Sequence, residues 1–94
     1  DYRRTETMAR AGLHWNPGNP WLETALGVAL LNRGRNAEAR HAFETAQAGA
    51  ARLTDADWLR AYPGNDPNWA PRGIAAMKRV IESNLRLVDS RGGG

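Results

Sequence analysis

The 94-residue chain has no cysteine. That excludes disulfide cross-links, thiol catalysis and thiolate metal sites, and leaves the redox compartment open. Lysine occurs once, at Lys78, and phenylalanine once, at Phe43. No apolar run approaches the ~18 residues of a membrane-spanning helix. The longest, Ala25 to Leu31, is interrupted by Gly27. No charged start followed by an apolar segment marks a secretory leader, so the sequence does not choose between cytoplasm and periplasm. The chain opens on Asp1-Tyr2-Arg3 without an initiator methionine, which suggests a piece of a longer or processed polypeptide.

Catalytic signals are equally scarce. The two histidines, His14 and His41, lack i, i+4 spacing and any evident carboxylate partner. No metal ligand or cofactor is assigned from them. Asp55 and Asp57 lie two apart, which on a helix turns them to different faces and suits helix capping better than acid–base work. Gly92-Gly93-Gly94 leads into no helix and cradles no phosphate. No catalytic residue emerges, and the expectation is that the chain is not an enzyme. The net charge is +3, but the arginines are interleaved with ten acidic residues. Only Arg3-Arg4 and Lys78-Arg79 are adjacent, too little for a concentrated nucleic-acid face.

What the chain does have is alanine, leucine and helical periodicity. Tyr2 to Trp15 favours helix, with Met8, Ala11 and Trp15 on its expected inner face. Asn16-Pro17-Gly18-Asn19-Pro20 is a turn, after which Asn19 caps a helix with Pro20 in its first position. That helix is expected from Pro20 to Arg33, ending at Gly34. The next runs from about Asn36 to Arg52, with Ala39, Ala42, Phe43 and Ala46 inward. So short a connection makes the two antiparallel. Thr54 caps a short helix ending near Tyr62, and Tyr62 to Arg72, with three prolines, reads as an irregular loop. The last helix is expected from Pro71 to Asp89, burying Ile74, Met77, Ile81, Leu85 and Val88. Ser90 to Gly94 reads as a frayed tail.

The segment Pro20 to Arg52 resembles a tetratricopeptide repeat. The residues carrying the resemblance are Leu26-Gly27, Leu30, Gly34, Ala39, Phe43 and Ala46. The first helix has Glu23 where the family has its usual Trp, and Ala51 replaces the inter-repeat proline. The resemblance implies an all-α fold of antiparallel helix pairs forming a short superhelix. Residues 1–18 would be the second half of a preceding repeat, Met8 and Ala11 echoing Phe43 and Ala46 at a separation of 35. Residues 19–53 would form the full repeat, 54–90 divergent helices ending in a cap, and 91–94 a tail, all within a single domain.

By the same resemblance the chain is a scaffold, adaptor or assembly module that binds a partner peptide or helix in the concave groove. The groove-facing positions would be Trp21, Thr24, Val28, Leu31 and Asn32. Thr24 and Val28 stand where carboxylate-clamping members have Lys and Asn, which favours an apolar partner. Trp21 and Leu31 either anchor that partner or pack on a neighbouring helix. Asn32 either meets a partner backbone or caps its own helix. Trp58 and Trp69 either form an exposed edge or fold back over the core. One full repeat leaves an apolar face to cover. The C-terminal helix laid over the Asn36–Arg52 helix would cover it, and self-association is the competing expectation. A further alternative is a C-terminal regulatory or assembly segment of a larger enzyme or membrane-associated complex.

Overall fold

The computed structural model describes residues 1–92. The described residues are helical apart from short turns, with α1 Tyr2–Trp15, α2 Pro20–Asn32, α3 Asn36–Ala51, α4 Asp55–Ala61 and α5 Ala70–Gly92. A 3-10 turn, Pro67–Trp69, precedes α5 within the segment expected to be irregular. α5 begins at Ala70 and tolerates Pro71 because the first turn of a helix needs no intrahelical N–H donor. It continues through Gly92, beyond the expected end at Asp89. Ser90, Arg91 and Gly92 are therefore helical, and the rest of the expected tail, Gly93 and Gly94, lies outside the described residues.

The helix ends follow local chemistry. The Asn19 side chain accepts the Leu22 N–H at 3.0 Å and starts α2. At the other end Gly34 takes φ +77°, a left-handed conformation that suits glycine. It lets the Arg35 N–H reach the Leu30 carbonyl and the Gly34 N–H reach that of Leu31, closing α2 in a Schellman turn.

α2 and α3 pack along their length. Gly49 lies beside Pro20 and Phe43 against Gly27, so chain order runs oppositely in the two helices. A Cβ at position 27 would stand 2.6 Å from the Phe43 ring, so the ring lies directly on the α2 backbone. Around that contact Leu26, Leu30, Ala39, Ala42 and Phe43 are buried. Fully burying a side chain such as Phe43 is worth about 1.5–3 kcal/mol.

α5 lies across the outer face of α3. Ile81 packs on Ala46 and Ala50, flanked by Met77 and Leu85, while Val88 reaches the cluster around Phe43 and Leu31. The expected stripe is thus the buried one, and Arg40 pairs with Asp89 at its far end.

α1 presents a different face from the one expected. Met8 and Trp15 are 66% and 80% exposed, and Ala11 is exposed too; Glu6 and Ala9 are buried instead. Size and charge decide this. Ala9 and Gly12 are small enough to admit α2, and a Cβ at Gly12 would meet Leu22 at 2.9 Å.

Glu6 is the buried charge that orients α1. It accepts from Arg10 at 3.0 Å, pairs with Arg33, and lies 3.3 Å from Arg35. Arg35 also binds Glu38, so α1 is tied to the α2–α3 turn. The hydrogen bond from Arg10, together with Arg33 and Arg35, holds the Glu6 carboxyl below its ordinary value despite the opposing effect of burial. On α2, burial pushes Glu23 the other way, opposed by His41 and Arg10.

Two outcomes are expected. Gly27→Ala should lose about 1–3 kcal/mol in urea unfolding despite the better helix propensity of alanine. Phe43→Leu in the same chain should shrink that loss; equal losses in both backgrounds would mean the ring does not set the helix spacing. The depressed carboxyl of Glu6 makes its stabilisation complete above its unfolded value near 4.5 and lost as pH falls through the lower folded value. Thermal unfolding across that window should fall less steeply in Glu6→Gln than in wild type, the two converging at low pH.

Candidate partner-binding groove

α4 is short, so its placement depends on its ends. The Thr54 hydroxyl accepts the Asp57 N–H at 3.1 Å, and the Asp57 carboxylate accepts the Thr54 N–H at 3.0 Å. This capping box starts the helix. Its bonds, the backbone one foremost, hold Asp57 below its ordinary carboxyl value, with Arg60 adding to the effect.

One residue later Trp58 crosses onto α5. A Cβ at Gly73 would fall inside the Trp58 indole, so only a bare backbone admits the ring there. Trp58 packs with Tyr62 at 4.6 Å between ring centroids and with Trp21 of α2 at 5.9 Å. The Trp21 indole N–H donates to the Tyr62 hydroxyl at 3.0 Å. Such tilted aromatic contacts add about 0.5–1.5 kcal/mol each beyond the area they bury. Three rings from two helices thereby form one wall.

The opposite wall is α5. Between them lies an open groove of about 390 Å³, lined by Trp21 and Thr24 of α2, by Trp58 and Tyr62, and by Ala76, Met77 and Val80. No charged side chain lines it. The Thr24 hydroxyl donates to the Pro20 carbonyl at 2.6 Å and is satisfied within its own helix. What the groove offers an occupant is apolar and aromatic surface, with the Tyr62 hydroxyl as a polar point. A depression of about 420 Å³ beside the α1–α2 turn is walled mainly by polar residues, among them Asn16, Asn19, Arg52 and Asp57, and has no comparable apolar floor.

The five residues expected on a concave face divide here. Trp21 and Thr24 line the groove, and Val28 packs half-buried on the core. Leu31 is only 4% exposed and sits in the same cluster as Val88. Of the two expectations for Leu31, packing on a neighbouring helix is the one its burial beside Val88 of α5 fits. Asn32 is exposed and its amide donates to the Val28 carbonyl at 2.8 Å, within its own helix. Of the two later tryptophans, Trp58 folds onto the body and Trp69 is exposed.

Sequence reasoning missed Tyr62, Ala76 and Val80 as wall residues. The available signal was a second stripe on α5, Gly73, Ala76 and Val80, at i, i+3, i+7 and distinct from the buried one. Among the described residues no group of three or more His, Asp or Glu side chains is placed to hold a metal ion. No described helix is long and apolar enough to cross a membrane.

Comparison with protein-family models, with curated proteins and with solved structures yielded no match.

If Gly73 admits Trp58, then Gly73→Ala must displace the ring. Expected are a loss of about 1–3 kcal/mol and a red-shifted tryptophan emission relative to wild type. Unchanged emission would mean that the wall does not depend on this contact.

Proposed function

We propose that the chain is a protein-interaction module that receives an apolar segment of a partner protein, a peptide or a helix, in the groove between α2, α4 and α5. The observation that carries this reading is the groove itself: an uncharged, aromatic-walled trough left open on a small helical body. Tryptophan and tyrosine are the side chains that most often anchor partner binding. The resemblance to tetratricopeptide repeats implies the same class of function, and of the five positions it implied, Trp21 and Thr24 line the groove while Val28, Leu31 and Asn32 do not. A scaffold, adaptor or assembly role follows from such binding, with any chemistry residing in the partner.

The test is a pull-down from the native extract with wild type beside two single variants, Trp21→Ala and Val80→Asp. Val80 is more than half exposed, so its substitution should spare the fold, which circular dichroism would verify. A partner retained by wild type should bind each folded variant at least about tenfold more weakly, a loss typical of interface anchors. Equal retention by all three would place binding elsewhere on the molecule.

A further inference from the structure

α5 carries a second pattern beside its buried stripe. Trp69, at its entry, and then Gly73, Ala76, Val80, Ser83 and Leu87 follow one another at alternating spacings of four and three. That is the a/d seam of a coiled coil. The Trp58 ring covers the seam at Gly73; on either side it is open, with Trp69, Val80 and Leu87 60%, 53% and 38% exposed. It is also continuous with the groove, since Gly73, Ala76 and Val80 belong to both.

Arg72, Arg79 and Arg86 each precede an a position of that seam, at Gly73, Val80 and Leu87. A spacing of seven drifts only ~20° per step on a straight helix, so the three form a row along one edge. All three are exposed, and none forms an ion pair among the described residues. Glu82, the acid within helical reach of Arg79 and Arg86, pairs with neither. An unpaired surface arginine is ordinary. A row in the g register of an open apolar seam is the arrangement by which one helix chooses the charge of another.

The other edge of the seam is Ala70, Met77 and Asn84, which is uncharged and turned toward the body. A second copy would therefore be a poor match. Antiparallel pairing would oppose arginine to arginine, and parallel pairing would oppose arginine to these neutral positions. Resting on the groove reading above, we infer that the partner is an acidic amphipathic helix. Its apolar stripe lies on the α5 seam, a bulky side chain enters the groove over Ala76 beside the Trp58 ring that covers Gly73, and carboxylates spaced seven apart meet Arg72, Arg79 and Arg86.

The test is selection on the immobilised chain from a displayed library of amphipathic helices. Leucine is fixed at a and d, and Glu, Lys and Gln are randomised at e and g. Wild type should enrich Glu over Lys by about tenfold or more on one flank, at every seventh residue. The exposed triple variant Arg72→Glu, Arg79→Glu, Arg86→Glu should reverse the preference to Lys. Enrichment without charge preference, with a Lys preference, or unmoved by the triple variant overturns the acidic partner. Neutral helices enriched by wild type and lost with Trp21→Ala would leave the groove reading standing while this inference fails. Acidic helices enriched equally by wild type and Trp21→Ala would sustain the seam and sink the groove. Concentration-dependent dimerisation in sedimentation, abolished by Val80→Asp, would make the occupant a second copy. Flotation with phosphatidylserine vesicles that the triple variant loses, with no helix enriched, would make the arginine row a membrane contact instead.

Discussion

The contact between the Phe43 ring and the bare backbone of Gly27 sets the spacing from which the other helices take their places. With the ring lodged there, α2 and α3 approach closely enough that Ala39, Ala42 and Ala46 suffice to fill the interface. Small side chains bury little area each, so the large buried ones, Phe43, Leu30, Ile81 and Val88, supply a large share of the hydrophobic stabilisation. Ala46 and Ala50 also give α3 a shallow outer face, onto which Ile81 of α5 settles. The same device recurs where α1 meets α2 at Gly12 and where α4 meets α5 at Gly73. The crossings at Gly27 and Gly73, where a rigid ring would meet the Cβ, thus depend on the absence of a single methyl group, whereas at Gly12 the neighbour is the flexible end of Leu22.

Helix positions were largely legible because they are written in local chemistry. Asn19 before Pro20, Gly34 after a leucine-rich run and Thr54 three before Asp57 each mark an end whose unpaired N–H or C=O groups need a partner. The buried stripe of α5 was legible because its opposite face is charged. Faces were illegible where hydrophobicity did not vary with angle. α2 is apolar nearly all round, and periodicity could not say that Leu31 would be covered by α5 while Trp21 stayed at a groove. α1 failed for another reason: its contact face is chosen by small residues and by Glu6, which besides the local Arg10 pairs with Arg33 and Arg35, 27 and 29 residues away. Nothing local to α1 announces them.

Away from α5, charge and apolar surface are segregated on this body. The ion cluster of Glu6, Arg10, Arg33, Arg35 and Glu38 gathers where α1 meets the α2–α3 turn, and the aromatic wall gathers near the start of α2. The first ties helices whose buried contacts are mostly alanine and glycine; the second leaves an uncharged surface unfilled. Trp21 shows how one helix serves both the body and the groove: its ring packs on Trp58 and Tyr62, its N–H is satisfied by Tyr62, and the remaining ring surface faces the trough.

The order in which the helices touch has a kinetic meaning. α1 packs on α2, α2 on α3 and α4 on α5, each next to its neighbour in the chain; the principal longer connection is α5 returning to α3. Little loop entropy need be spent before most native contacts can form, which is the condition for folding in microseconds to milliseconds. The return of α5 spans the proline-rich segment, so it is the step that closes the largest loop. A chain in which α1 to α3 have formed and α5 has not would expose Ala46, Ala50 and Leu31 together. The same surface that ends as core is, for that interval, the one most open to association with another chain.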